Sequence, residues 1–268
     1  MTLSDEELER YARHLVLREV GGAGQAKIRA AKVLLIGAGG LGSPAALYLA
    51  AAGVGTLGLV DDDTVSLSNL QRQILYRASD VGRAKVEAGA EALKALNHGV
   101  RIEPHALRLT AANAMELIGR YDIVADGSDN FATRFLVNDA CFFAKKVLVS
   151  AAVTEFDGQL ATYKAFDRSG GHDGKAWPCY RCLFAGPPPA GTAPNCSETG
   201  VLGAAAGVMG ALQALEVLKE IAGIGEGLAG KLLIYEALAA RFRSVRIDPD
   251  PACPLCGPNP GIRNLADD

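Results

Sequence analysis

Residues 33 to 60 hold no charged side chain, and this stretch limits the fold more than any other part of the chain. It is long enough to cross a bilayer, but seven glycines and Pro44 interrupt it, and a membrane-spanning helix needs about 20 nearly unbroken apolar residues. A strand, a turn, a helix and a second strand, all buried, satisfy the same sequence better. VLLI at 33–36 is the short apolar run of a strand covered on both faces. A helix is expected to follow at about 41–52 and a strand at 56–60.

The remainder continues the alternation. Ser4 and Glu7 have capping-box spacing ahead of Leu8, Tyr11, Ala12 and Leu15, which share one face of a first helix. A helix is expected at about 80–96, strands at 100–105 and 121–125, a helix at about 130–144 and a strand at 147–153. Strands alternating with helices build an α/β fold with a Rossmann-like, doubly wound, largely parallel sheet. About 1–150 is then a nucleotide-binding half. The second half, about 151–268, continues the sheet with antiparallel strands at 157–166, 231–236 and about 242–247. A Gly-, Pro- and Cys-rich crossover at 167–198 and a small-residue helix at 199–215 lie between them. No linker separates two cores, so 1–268 reads as a single domain.

Composition narrows the partners. With 49% hydrophobic and 21% charged residues the chain has ample material for a core. Its 27 Lys and Arg against 30 Asp and Glu leave no basic surface for nucleic acid. The acidic start, MTLSDEELER, has neither the basic region nor the apolar core of an export signal. The six cysteines therefore belong to a reducing compartment, the cytoplasm.

Gly37-Ala38-Gly39-Gly40-Leu41-Gly42 is a G-x-G-x-x-G pattern. Similar spacings recur at Gly53, Gly55 and Gly58 and at Gly225, Gly227 and Gly230, but only the first follows an apolar strand and opens a helix. There the glycines permit a tight turn and let a phosphate approach free backbone N–H groups. Asp61, nineteen residues past Gly42, reads either as the acid that accepts a ribose hydroxyl or as a solvated strand end. Asp62 and Asp63 read as loop charges. Arg72, set among Asn69, Gln71 and Gln73 in an assembly of donors able to contact phosphate oxygens, and Lys85, on a helix, would each be ordinary surface cations alone. Together after a nucleotide turn they suit ATP, whose phosphates must be offset before an anionic nucleophile approaches, and have no use at a nicotinamide site.

Asp126 and Asp129 in ADGSDN fall where open α/β sheets bind ligands. A carboxylate there holds Mg²⁺ beside phosphates, or Ser128 or Asp129 caps the next helix. Cys179-x-x-Cys182 and Cys253-x-x-Cys256 supply four thiolates, the set for a closed, structural Zn²⁺ site tying the crossover to the tail. Two independent redox dithiols are the alternative. Cys141 reads as core. Cys196 lies near the start of the helix at 199–215, where the dipole favours a reactive thiolate.

RYARHLVL from Arg10, GAGGLG, DDDTVSLSNLQRQ, VGRAK, DGSDN, CYRC and CPLC occur in that order over nearly the whole chain. In this the chain resembles the ThiF/MoeB/HesA family, the bacterial relatives of ubiquitin-activating enzymes, and within it the molybdopterin-synthase adenylyltransferase (MoeB) type. The resemblance implies that the C-terminal glycine of a ubiquitin-like sulfur-carrier protein, MoaD-like or ThiS-like, attacks the α-phosphate of ATP, giving an acyl adenylate and pyrophosphate. It implies that Asp61 contacts ribose, that Gly40 contacts the nucleotide and that Ser68, Asn69, Gln71, Arg72 and Lys85 surround the phosphates. It makes Asp129 the magnesium-linked aspartate, with Asn130 beside it. It also implies that Arg13, otherwise a solvated helix residue, reaches into the partner subunit's site of a homodimer. Cys196 matches a position that links covalently to the carrier in some members and is dispensable in others. The chain ends soon after Cys256 without an appended sulfurtransferase domain, so a separate sulfur donor protein is expected.

Two other readings use fewer of these residues. A nicotinamide-dependent oxidoreductase accounts for the glycine turn and Asp61 only, and a non-catalytic zinc-bearing scaffold accounts for carrier binding without the cation pair. A tRNA-modifying dehydratase relative gains nothing from the acidic charge balance.

Overall fold

Eight strands form one sheet: β1 (Lys32–Ile36), β2 (Thr56–Val60), β3 (Arg101–His105), β4 (Ile123–Asp126), β5 (Val147–Thr154), β6 (Asp157–Tyr163), β7 (Lys231–Glu236) and β8 (Arg241–Arg246). The computed structural model describes residues 3–171, 176–186 and 200–266. The strand order is β3-β2-β1-β4-β5-β6-β7-β8, parallel from β3 to β5 and antiparallel from there to β8. The expected parallel sheet with an antiparallel extension is present.

The helices are α1 (Asp5–Arg10), α2 (Ala12–Leu15), α3 (Gly21–Ala30), α4 (Gly42–Ala51), α5 (Lys85–Leu96), α6 (Ala111–Gly119), α7 (Phe131–Ala144), α8 (Tyr180–Leu183) and α9 (Gly203–Ala222). β1 shows why both sheet faces are covered. Val33 and Leu35 join a core with Leu49 of α4, Leu93 of α5 and Met209 of α9, while Leu34 and Ile36 join a second core with Ile118 of α6 and Phe135 of α7. Alternate side chains of a strand point to opposite faces, so a wholly apolar strand needs a helix layer on each side.

Strand order inverts between β1 and β4. Ile36 is aligned with Val60 on one side and Asp126 on the other, and Asp126 with Ser150. The chain therefore leaves the sheet side by side at Gly37, Asp61 and Gly127, the crevice where such sheets take ligands.

Several boundaries differ from the sequence reading. The capping box at Ser4 and Glu7 is present, with bonds of 2.7 and 3.2 Å. The helix behind it breaks at Tyr11, which is buried and accepts from Asn97 Nδ2 at 2.9 Å, whereas Leu8 stays exposed. The helix expected from 80 begins at Lys85, because Gly82 turns the chain at φ +91° first. The helix expected at 199–215 runs instead from Gly203 to Ala222 and ends at Gly223, whose φ is +70°. α3 and α6 carried no strong sequence signal. α3 is glycine-rich and is held by the buried Gln25, whose amide donates to Ala52 O at 2.9 Å. Among the described residues no helix is long and apolar enough to cross a membrane.

Candidate functional site

A cleft of about 600 Å³ opens over the carboxyl ends of β1, β2 and β4 and brings together Gly37, Gly39, Gly40, Asp61, Arg72, Lys85, Asp129 and Asn130. Its glycines divide into two kinds. A Cβ on Gly42 would lie 1.9 Å from Gly37 O, and Gly37 has φ +85°, so both serve the turn itself. A Cβ on Gly39 would meet only Gln73 Nε2 at 3.7 Å, and one on Gly40 nothing closer than 3.5 Å. No protein neighbour demands glycine there, and the missing side chains keep the turn open to the cleft.

The turn is fixed through Ala38. Its N–H donates to Asp61 Oδ2 at 2.9 Å and its carbonyl accepts the Tyr76 hydroxyl at 2.8 Å. Burial, reinforced by the carboxylates of Asp61, Asp63 and Asp80, pushes the Tyr76 phenol well above its ordinary pKa, so it stays a donor. Asp61 Oδ1 accepts from Asp63 N at 2.9 Å. A carboxylate oxygen has about two acceptor sites, which leaves Asp61 capacity for a hydroxyl group.

Lys85 is not the surface lysine its helix suggested. It is 5% exposed, with Nζ 2.7 Å from Asp63 and 3.7 Å from Asp61, so Asp63 is a loop residue that serves as its counter-charge. Arg72 donates to Ser68 O at 3.0 Å, and among the described residues its charge meets no carboxylate. Ser68, Asn69 and Gln71 do not line the cleft. Asn69 Oδ1 instead accepts from Ser66 N at 3.1 Å, and Ser68 Oγ is bonded to Ser66 Oγ at 2.9 Å. Arg13 is exposed on α2, outside the cleft of its own chain.

Two further cleft residues stand out, Gln73, which the sequence places among the donors around Arg72, and Ser128, which it offers only as a helix cap. Gln73 and Ser128 are 4% and 8% exposed, and Gln73 Oε1 and Ser128 Oγ have no hydrogen-bond partner among the described residues. Such an orphan costs about 1–3 kcal/mol in a closed protein, and both residues lie in the lining of the cleft.

The two acids after β4 have different fates. Asp126 is fully buried, and its oxygens accept from Ser128 N at 3.0 Å and Ser150 Oγ at 2.9 Å, so it is spent on the fold. Asp129 is exposed in the cleft, with a single long bond of 3.5 Å from Asn130 Nδ2. The cap of α7 is Asn130, whose Oδ1 accepts from Thr133 N at 2.9 Å, rather than Ser128 or Asp129. Asp129 is thus the acid of the pair free to face a cation.

Away from the cleft, the two Cys-x-x-Cys pairs converge. Sγ separations are 4.0 Å for Cys179–Cys182, 3.6 Å for Cys179–Cys253 and 3.3 Å for Cys182–Cys256, and all four sulfurs lie within 4.8 Å of one another. A tetrahedral zinc with bonds of about 2.3 Å implies sulfur–sulfur edges of about 3.8 Å, so the cluster fits a zinc site. It sits with Ala165, Leu255 and Ile262 in a small apolar core. α8 is tied to α7 through the Arg181 guanidinium and the Asp139 carboxylate, paired at 2.7 to 3.0 Å and both buried, a contact no motif announced. Burial pushes the Cys141 thiol far up, consistent with a core role. Cys196 and much of the expected crossover lie outside the described residues.

The model of the ThiF family matches residues 11–255. A sulfur carrier protein adenylyltransferase of Thermus thermophilus is 49% identical over 267 residues, covering 100% of this chain and 97% of the relative. An adenylyltransferase and sulfurtransferase MOCS3 of Bos taurus is 52% identical, covering 99% of this chain but 56% of the longer relative. Among solved structures, E. coli MccB with AMPCPP and MccA superposes with a TM-score of 0.78 at 25% identity, covering 92% of this chain and 74% of that one. PaaA superposes with 0.76 at 26% identity, covering 91% and 75%.

Proposed function

The chain belongs to the ThiF family, and from that premise we propose that it adenylylates the C-terminal glycine of a ubiquitin-like sulfur-carrier protein. A terminal carboxylate oxygen attacks the α-phosphorus of ATP, the bond from that phosphorus to the bridging oxygen breaks, and pyrophosphate leaves with the electron pair. The open Cβ positions of Gly39 and Gly40, in a cleft also lined by Arg72, which among the described residues meets no carboxylate, support this reading most directly.

In this reading the nucleotide lies over Gly37, Gly39, Gly40 and Gly42, with the ribose on Asp61. Arg72 and Lys85 are cations placed before charge builds on the α-phosphoryl oxygens and on the leaving group, so little reorganisation is needed during reaction. Ser68, Asn69 and Gln71 lie just outside the cleft, and their part requires the loop to close on the phosphates. Asp129, with Asn130 beside it, would hold Mg²⁺, since magnesium takes one or two carboxylates alongside phosphates and water. Bound there, the ion supplies charge neutralisation. Zn²⁺ on Cys179, Cys182, Cys253 and Cys256 would be structural, as no coordination position is left open.

The proposal extends to the assembly. About 1–150 serves the nucleotide and about 151–268 the carrier, within one domain. Arg13 reaches the partner subunit's site in a homodimer, and a separate protein donates sulfur. A carrier link at Cys196 would follow adenylation. Thiolate ligands suit a reducing cytoplasm. The carrier is MoaD-like or ThiS-like, serving molybdopterin or thiamine synthesis.

The test is incubation with ATP, Mg²⁺ and each candidate carrier, followed by intact mass. A gain of one AMP on a carrier is expected and identifies the pathway. NAD(H) binding in the cleft with no AMP transfer to any carrier overturns the reading.

A further inference from the structure

The backbone of Ser128 is held at both its N–H and its carbonyl, and from this we infer that Arg134 is a positioning residue for Asp129. The carbonyl of Ser128 accepts from Arg134 Nη2, and its N–H donates to Asp126 Oδ1 at 3.0 Å. Arg134 Nη1 donates to Ser150 Oγ at 3.3 Å, and that hydroxyl donates to Asp126 Oδ2 at 2.9 Å. The four residues close a ring. It is anchored from behind by Gln213 of α9, whose amide donates to Asp126 O at 2.8 Å.

This ring exceeds what the start of α7 requires. Asn130 already caps the helix through Thr133 N, yet Arg134 and Asp126 are 8% and 0% exposed, with closest charged atoms 3.8 Å apart. A buried pair at that separation gains less attraction than direct contact would give, and apolar residues of similar size often stabilise a fold as well. What the ring does fix is the peptide immediately before Asp129. Among the described residues the Asp129 side chain has only the 3.5 Å bond from its neighbour, so the direction of its carboxylate is set by its backbone. The residues that orient a metal-binding carboxylate are expected to tune affinity through such contacts. The inference rests on the magnesium reading of Asp129.

The experiment uses the full chain with a non-hydrolysable ATP analogue and Mn²⁺ as the metal probe, read by electron paramagnetic resonance. Metal-free analogue affinity is measured in parallel. Arg134→Lys is expected to weaken Mn²⁺ binding about ten-fold or more and Ser150→Ala by a smaller factor, with metal-free analogue affinity within about two-fold of wild type. Arg134→Lys and Ser150→Ala that bind Mn²⁺ like wild type, while Asp129→Asn loses it, overturn the positioning role and leave the magnesium reading standing. Asp129→Asn that binds Mn²⁺ like wild type removes the magnesium reading and the positioning role with it. An equal loss of metal-free analogue affinity in Arg134→Lys also overturns the inference, by placing Arg134 on the nucleotide or the fold as a whole.

Discussion

The Lys85 ammonium is almost wholly enclosed, with 6% of its side chain exposed, yet the Asp63 carboxylate that it meets at 2.7 Å is 69% exposed. Water can solvate Asp63 if the pair parts, whereas Lys85 has protein around it, so under the proposed function an arriving phosphate would displace Asp63 and meet a cation already in place. Lys85→Met is expected to slow carrier adenylation about 10²-fold, or about 3 kcal/mol, by analogy with a removed oxyanion donor. The melting temperature should hardly move, because the exposed Asp63 is readily solvated. Pyrophosphate exchange and thermal unfolding check the two halves of this expectation, and parallel losses would make Lys85 a structural residue.

The glycine turn makes an opposed pair of predictions. Gly40→Ala has room among its protein neighbours, at 3.5 Å or more, so the fold should hold while nucleotide affinity falls by about 1–3 kcal/mol from the methyl pressed into the ligand's path. Gly42→Ala drives a Cβ to 1.9 Å from Gly37 O and should lower stability by a similar ~1–3 kcal/mol. Calorimetric titration with ATP and thermal unfolding of both variants separate the ligand glycine from the packing glycine.

Elemental analysis should find one zinc per chain. Cys253→Ser is expected to lose it and to destabilise the chain by about 2–5 kcal/mol, the range for loss of a native cross-link. Because the parallel sheet and its helices do not depend on the cluster, far-ultraviolet circular dichroism should stay close to wild type. A zinc-free chain of unchanged stability would return the four thiols to a redox role.

Acid should weaken the far edge of the sheet in two steps. Tyr121 donates to Glu103 Oε2 at 2.7 Å and lies 2.8 Å from His105 Nε2. The Tyr121 hydrogen bond holds Glu103 below its ordinary pKa, and burial, with help from Arg120, holds His105 below its own. Both groups favour the unprotonated form when folded, so the unfolded chain binds more protons. Stability is full above the ordinary histidine value of 6.5, declines as pH falls below it, and declines again below the ordinary glutamate value of 4.5. His105→Gln should remove the first decline and Tyr121→Phe should shrink the second, as read from melting temperature against pH.

The parts of this molecule written as contiguous patterns were legible in the sequence. A charge-free strand, a glycine turn and an acid one strand later describe a local path, and the structure follows it to Asp61. Two Cys-x-x-Cys pairs suggest a shared site, and the structure brings their four sulfurs together. Properties set by distant packing were not legible. Lys85 looked exposed because its helix is amphipathic, and only the return of the Asp61–Asp63 loop encloses it. Asp126 and Asp129 are equivalent by composition. Ser150, on a neighbouring strand, decides that the first is consumed by the fold. Ser128 read as no more than a helix cap until the structure set it in the cleft lining with an unpaired hydroxyl.

The inversion between β1 and β4 also orders events on the ribosome. A nascent chain that has emerged only through β3 already carries the glycine turn, Asp61, Arg72 and Lys85, yet the wall formed by 127–130 is still inside the exit tunnel or unmade. The cleft gains that wall only once β4 lies beside β1, so on the proposed reading nucleotide binding follows the central pairing of the sheet and does not template it.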